Sequence, residues 1–272
     1  MRIGNMEKKL FLLDMDGTIY QGNQIFSGVQ EFLRDIKALG GRYIFLTNNS
    51  SKSIDDYVGK LRRLGIDSVQ EDFYTSAQAT IRYLCQKGYH RLYVLGTEAF
   101  RQQLRRSHFH VSESPDVEID CLVLGFDTEL GFQKLEDACI LLNRNIPYVA
   151  TNPDLVCPTD FGYVPDCGSV AQMLQNAAGK LPVVIGKPCP EMAWYVIEQT
   201  GYSREDTIIV GDRLYTDIAC GNRAGITTAL VLSGESTRAD IERTKIFPTF
   251  IFEDIQNLHA HLLYQERKRA LC

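Results

Sequence analysis

Short apolar runs recur along the chain and alternate with stretches whose apolar positions fall three or four apart. Leu10-Phe11-Leu12-Leu13, Tyr43-Ile44-Phe45-Leu46, Leu92-Tyr93-Val94-Leu95, Cys121-Leu122-Val123-Leu124 and Tyr148-Val149-Ala150 carry no polar alternation. Val183-Val184-Ile185, Thr207-Ile208-Ile209-Val210 and Thr228-Ala229-Leu230-Val231 continue the series, and Phe73-Tyr74-Thr75 reads as a short strand. Unbroken apolar runs of this length are the pattern of strands buried on both faces of a parallel sheet. Between them, Val29, Phe32, Leu33 and Ile36 share one helical face that ends at Gly40-Gly41, and Ile54, Tyr57, Val58 and Leu61 share another that ends near Gly65. Further helices are predicted with Ile81, Leu84 and Cys85, over 98–106, 133–144, 169–178 and 216–224, around Trp194 and Ile197, and over 254–263. Strands alternating with helices predict an α/β fold with a doubly wound, Rossmann-like parallel sheet. Ligands of such sheets bind beyond the carboxyl ends of the strands, so the residues there are the first candidates for chemistry.

Four strand ends carry reactive groups. The first is followed by Asp14-Met15-Asp16-Gly17-Thr18. Two carboxylates this close are unfavourable unless a positive charge holds them, and a hard divalent cation is the usual partner. The second is followed by Thr47-Asn48-Asn49-Ser50, small hydroxyl and amide groups able to hold phosphate oxygens or to cap a helix. The strand at 183–185 is followed by Gly186-Lys187-Pro188, where a lysine supplies a point charge. The strand at 207–210 is followed by Gly211-Asp212 and, five residues on, Asp217, a second acidic pair that also reads as helix-cap chemistry. Each signal has an ordinary structural explanation when taken alone. Their conjunction on successive strands points to a site where anions are brought together around a cation.

Composition narrows the setting. The 272 residues are 44% hydrophobic and 23% charged, which is globular material and excludes a disordered tail protein. A net charge of −5 lacks the basic footprint of a nucleic-acid binder, and the basic stretch Glu266-Arg267-Lys268-Arg269 reads as a solvated helix end. No apolar run approaches the roughly 20 residues of a membrane span, and Leu10–Leu13 is too short for a signal peptide, so a cytoplasmic protein without membrane partners is expected. Eight scattered cysteines, including Cys272, without a C-x-x-C pair predict reduced thiols. The pairs His108/His110 and His259/His261 have no third ligand nearby in sequence, Trp194 is expected in the core, and no nucleotide-binding glycine string follows a strand.

The pieces DMDGT (14–18), LTNNS (46–50), GKP (186–188) and GDRLYTDI (211–218) resemble the haloacid dehalogenase superfamily. The stretch GDRLYTDIACGNRAGITTALVLSGEST and the TNPD at 151–154 are similar to its NagD-like, or 4-nitrophenyl phosphatase, subgroup. The resemblance covers nearly the whole chain. It implies a Mg²⁺-dependent phosphatase that hydrolyses small phosphomonoesters of the sugar phosphate and 4-nitrophenyl phosphate type through an aspartyl-phosphate. By the same resemblance Asp14 is the nucleophile and Asp16 the general acid and base. Asp14, Asp212 and the backbone carbonyl of Asp16 hold the metal, Asp217 orients Lys187 or metal-bound water, and Thr47, Asn48, Asn49 and Lys187 hold the phosphoryl group. Only 29 residues separate Thr18 from Thr47, but 140 separate Thr47 from Lys187, more than a helix and a strand require. The excess predicts an inserted α/β domain, in the resembling family a C2-type cap. Expected boundaries are 1–80 and 182–272 for the core and 81–181 for the cap. Asn152, Asp154 and the Asp166–Ser169 turn are cap residues that could select hydroxylated leaving groups or simply make turns, and a homodimer through the cap is carried as a further expectation. Phosphosugar mutase-like transfer and a phospho-signalling receiver are the rival readings.

Overall fold

The computed structural model describes residues 6–159 and 161–270, and falls into two compact units. The first comprises residues up to Thr47, Val58–Tyr74 and Lys187 onward; the second comprises Asn48–Tyr57 and Thr75–Gly186. The sequence places the insert at 81–181, whereas by contacts the second unit starts at Thr75, ends at Gly186 and takes in Asn48–Tyr57.

The first unit is built on a six-stranded sheet in the order Phe250–Phe252, Thr227–Val231, Thr207–Gly211, Leu10–Leu13, Arg42–Thr47, Phe73–Thr75. Leu10–Leu13 pairs in parallel with Thr207–Gly211 on one side and Arg42–Thr47 on the other. All four of its side chains are fully buried, as the unbroken apolar run requires. The chain moves outward from this strand in one direction, leaves for the second unit, and returns on the opposite side. The carboxyl ends of Leu10–Leu13 and Thr207–Gly211 therefore meet at the topological switch point, where open α/β sheets bind ligands. Helix Val29–Ala38 buries Val29, Phe32, Leu33 and Ile36, the face anticipated from their spacing. Helix Ile54–Arg63 is opened by Ser53, whose hydroxyl accepts from the Asp56 amide while Asp56 accepts back from the Ser53 amide. Cap chemistry thus falls to Ser53 and not to the Thr47–Ser50 string.

The second unit has its own parallel sheet, ordered Val183–Val184, Tyr148–Ala150, Cys121–Leu124, Arg91–Leu95, His110–Ser112. Helices Phe132–Asn143 and Cys167–Ala178 pack on it through Ala138, Leu141, Leu142, Val170 and Leu174. Val183–Val184, read from sequence as the strand that reopens the core, pairs instead with Tyr148–Ala150. A two-residue strand has too little pattern to declare its sheet. Asp166 is the N-cap of Cys167–Ala178, accepting from the Cys167 amide at 2.5 Å, so that turn is cap chemistry. The antiparallel hairpin Val156–Thr159/Gly162–Pro165, strand Phe250–Phe252 and helix Arg238–Thr244 were not anticipated.

Trp194 is half-buried, not core: its indole N–H donates to the Ala224 carbonyl and the Arg204 guanidinium lies over its ring. The seven described cysteines are free thiols, and Cys272 lies outside the described residues, as does the side chain of Arg269. Arg267 and Lys268 are exposed near the end of the last helix. His259 bonds Asp35 at 2.9 Å, while His261 packs against Phe250 and Phe252; His108 sits in a left-handed turn before His110 starts a strand. Neither histidine pair forms a metal cluster among the described residues. No described helix is long and apolar enough to cross a membrane.

Candidate active site

Three adjacent strands of the first unit deliver the predicted groups to one edge. Asp14 follows Leu10–Leu13 and donates its amide to the Val210 carbonyl, extending the ladder by one residue. Asp212 follows Thr207–Gly211, and Thr47 closes Arg42–Thr47, where it is buried. Asp217 comes from a single π-helical turn, Leu214–Ile218, whose wider winding lets its Oδ2 accept from the Arg213 amide four residues back at 3.1 Å.

Lys187, only 2% exposed, ties these pieces together. Its ammonium donates to Asp14 Oδ1 at 2.6 Å, to Asp217 Oδ1 at 2.6 Å and to the Leu46 carbonyl at 2.8 Å. All three N–H donors are thereby used. The sequence reads this lysine as a point charge at a strand end but gives no sign of its burial, and it is among the largest fully buried side chains of the protein.

One ammonium cannot serve three carboxylates. Oxygens of Asp14, Asp212 and Asp217 lie within 4.8 Å of one another. Burial holds the Asp14 carboxyl well above its ordinary range; Lys187 pulls it down, and Asp217 and Asp212 push it up. Burial, then the neighbouring Asp217, pushes Asp212 up to about 7. Burial disfavours the charged Lys187, but Asp14 and Asp217 together hold it more firmly protonated than a free lysine.

These residues fit a hard divalent cation. Asp212 Oδ2 accepts from the Glu235 amide at 2.7 Å, but its Oδ1 is buried with no hydrogen-bond partner. A buried carboxylate oxygen without a donor is expensive, and a cation is the partner it lacks. The carboxylate fills space that glycine alone leaves open. A Cβ on Gly17 would sit 2.4 Å from Asp212 Oδ2, and one on Gly234 would sit 2.0 Å from it. Gly17 also has φ +85°, a left-handed turn that favours glycine. The Ser233–Ser236 loop that clamps Asp212 was assigned no role from sequence. Its signal is the Ser-Gly-Glu-Ser string after a buried strand adjacent to that of Asp212.

Asp16 stands apart from the three-carboxylate cluster. Its side chain is 47% exposed; Tyr20 donates its hydroxyl to Asp16 Oδ2 at 3.3 Å, and the Lys60 ammonium lies 3.8 Å from Oδ1. Within the second unit, Asn48, Asn152 and Asp154 come together. The Asn48 amide donates to Asp154 Oδ2 at 3.0 Å, and the Asn152 amide donates to the Asn48 carbonyl at 3.0 Å. The Asn152 Oδ1 accepts from the Asp154 amide at 2.9 Å. All three residues are buried and bonded to each other. Asn49 accepts from the Ser51 amide and hydroxyl through its Oδ1, a local turn contact.

The family follows from comparison with known proteins. A family model described as haloacid dehalogenase-like hydrolase matches residues 11–110, and one described as HAD-hydrolase-like matches 184–258. An acid sugar phosphatase of Staphylococcus aureus is 30% identical over 255 residues, covering 93% of this chain and 98% of the relative. Among solved structures, a 4-nitrophenylphosphatase from Thermotoga maritima superposes with a TM-score of 0.88 at 38% identity, over 94% of this chain and 97% of that one. A glycerol phosphate phosphatase from Mycobacterium tuberculosis in complex with magnesium gives a TM-score of 0.88 at 30% identity, over 95% and 79% of the two chains. The chain belongs to the haloacid dehalogenase-like hydrolases. Within that family it is an enzyme of the NagD-like, 4-nitrophenyl phosphatase subgroup, a phosphoric monoester hydrolase.

Proposed function

We propose that the protein hydrolyses small, hydroxylated phosphomonoesters of the sugar phosphate and polyol phosphate type, with Mg²⁺ as cofactor and Asp14 as nucleophile. The observation that carries this reading is the charge balance of the cluster. Asp14, Asp212 and Asp217 against Lys187 leave two uncompensated negative charges, which one divalent cation neutralises. Asp14 and Asp212 would hold the ion, with the Asp16 backbone carbonyl as the family resemblance suggests, and Asp217, whose oxygens accept from Lys187 and the Arg213 amide, would stand behind them. The bound ion supplies the positive charge that lets a carboxylate approach a phosphate dianion.

The chain's own residues do the rest. An oxygen of Asp14 attacks phosphorus and the bond to the leaving oxygen breaks, giving an aspartyl-phosphate. Asp16, outside the metal cluster and half exposed, gives its proton to the leaving oxygen. It then takes a proton from the water that cleaves the aspartyl-phosphate and returns Asp14. Lys187 holds Asp14 in a fixed position and adds positive charge beside the transferring group. Thr47 holds phosphoryl oxygens at the adjacent strand end. The inserted unit serves as the cap of the family plan. In it Asn152 and Asp154 serve the site by fixing Asn48 directly after Thr47, without selecting the substrate themselves.

The test is phosphate release from a panel of phosphoesters, with Mg²⁺ or with chelator, for the wild type, Asp14→Asn and Asp16→Asn. Stoichiometric free phosphate that needs Mg²⁺ and is abolished in Asp14→Asn is the expected result. Turnover retained by Asp14→Asn, or phosphate passed to a second sugar without release, refutes the proposal.

A further inference from the structure

The mechanism needs Asp16 to be aimed, yet Asp16 is the one carboxylate of the site that is not clamped by burial. Its partners are Tyr20 and Lys60, and neither belongs to a strand-end motif. Tyr20 is fully buried in the short strand Tyr20–Gln21, four residues beyond Asp16. The backbone between them is a tight turn, in which the Gly17 amide donates to the Tyr20 carbonyl at 2.8 Å and the Tyr20 amide donates to the Met15 carbonyl at 3.2 Å. That turn sets the phenol at 3.3 Å from Asp16 Oδ2. Lys60 reaches the same place from helix Ile54–Arg63. Its ammonium sits 3.7 Å from the centre of the Tyr20 ring and 3.8 Å from Asp16 Oδ1, with only 17% of the side chain exposed.

The contact distances separate the two roles. At 3.8 Å the ammonium is beyond hydrogen-bond reach of Asp16, so it acts on the carboxylate as a charge at a fixed distance. The face of the Tyr20 ring fixes that distance, because a cation so close to the ring centre is held by the quadrupole. Tyr20 therefore acts twice, through its hydroxyl on one oxygen of Asp16 and through its ring on the lysine that faces the other. The two side chains frame a carboxylate that is otherwise open to solvent.

We propose that Lys60, seated on Tyr20, is a positioning residue for this reaction: the pair aims the Asp16 carboxyl at the leaving-group oxygen. The proposal rests on the assignment of Asp16 as the acid of the first step. An error of about 1 Å in a reacting group costs on the order of a hundredfold in rate, so loss of the frame is a measurable defect. The defect should track the leaving group. A glycerol oxyanion needs the proton at the moment the bond breaks, whereas 4-nitrophenolate leaves readily without one.

The experiment compares kcat/KM on glycerol phosphate and on 4-nitrophenyl phosphate, because this ratio reports the step up to formation of the aspartyl-phosphate. Wild type, Lys60→Met, Lys60→Arg, Tyr20→Phe and Asp16→Asn are measured with saturating Mg²⁺, and folding is checked by circular dichroism. Lys60→Met is expected to lose roughly ten- to a hundredfold on glycerol phosphate and less than about threefold on 4-nitrophenyl phosphate. Lys60→Arg restores most of the loss, and Tyr20→Phe shows the same selective defect. Equal losses on both substrates, or none on either, overturn the proposal. If Asp16→Asn itself shows no selective loss on glycerol phosphate, the role of Asp16 falls first. If Asp16→Asn is selective and Lys60→Met is not, only the frame is wrong.

Discussion

Lys187→Met keeps most of the bulk of the side chain and removes its three N–H donors. Asp14 Oδ1, Asp217 Oδ1 and the Leu46 carbonyl then face a buried space without a partner. Breaking a buried ion pair from one side costs about 3–5 kcal/mol. Proton uptake sets a ceiling on that loss. Neutralising a carboxyl of ordinary pKa near 4 at pH 7 takes about three units at 1.4 kcal/mol each, or roughly 4 kcal/mol. The two routes agree, and the metal-free core should lose about 4 kcal/mol at pH 7. At pH 5 the same proton is about 2.7 kcal/mol easier to acquire, so the loss should shrink to between 1 and 2 kcal/mol, roughly. The assay is urea denaturation in chelator at both pH values. The sequence contains one tryptophan, and it lies in the first unit, half-buried against Ala224, so its fluorescence follows the core alone. A loss below about 1 kcal/mol at pH 7, or an equal loss at pH 5, would refute the reading of Lys187 as the counter-charge of a buried anionic cluster.

Three further outcomes follow from the same geometry. Gly234→Ala puts a methyl 2.0 Å from Asp212 Oδ2 and must displace that carboxylate, so the Mg²⁺ concentration for half-maximal activity should rise at least tenfold; an unchanged Mg²⁺ titration contradicts the fit. The Asp212 carboxyl, pushed up to about 7, keeps its proton where the unfolded chain has lost it. Its contribution to metal-free stability is therefore full below about pH 4 and lost as pH rises through about 7. A cation takes the proton's place, so the rise in Tm given by millimolar Mg²⁺ should grow from pH 5 to pH 7.5, and a gap independent of pH argues against this site. Asp154→Ala removes the acceptor of the buried Asn48 amide, and should lower the stability of the second unit by about 1–3 kcal/mol while leaving the order of preferred substrates intact. A changed substrate order at unchanged stability would place Asp154 directly on the substrate.

The site was legible where chemistry sits at the end of a buried strand. Leu10–Leu13 and Thr207–Gly211 announce themselves by apolar runs, and the acidic residue directly after each gains its meaning from recurring on both. Lys187 was legible as a charge but not as a core residue, because nothing in Gly186-Lys187-Pro188 reveals that two acids from distant positions will surround it. Lys60 was hidden differently. It lies among the polar positions of an amphipathic helix, where a lysine has a sufficient explanation in solvent. Phe250–Phe252 and Val183–Val184 are too short for their pattern to name a partner strand. The hairpin Val156–Thr159/Gly162–Pro165 leaves Phe161 and Tyr163 exposed, so its aromatic residues mark no buried face.

The fold gathers more negative charge at this site than its own lysine answers. The sheet alone offers no compensation: successive strand ends deliver Asp14 and Asp212, and the π-helical turn adds Asp217. Lys187 answers part of that charge and spends every donor doing so. Two more lysines would close the balance and make the folded protein more stable, but they would also leave the nucleophile permanently paired. Leaving the balance open by two charges lets an exchangeable cation close it, and keeps Asp14 able to give up part of its electrostatic company to a phosphoryl group. Gly17 and Gly234 serve the same end, since any side chain there would displace Asp212 from the cluster. The instability is local and retained because the chemistry requires an anion that a bound ion, and not the protein itself, makes tolerable beside another anion.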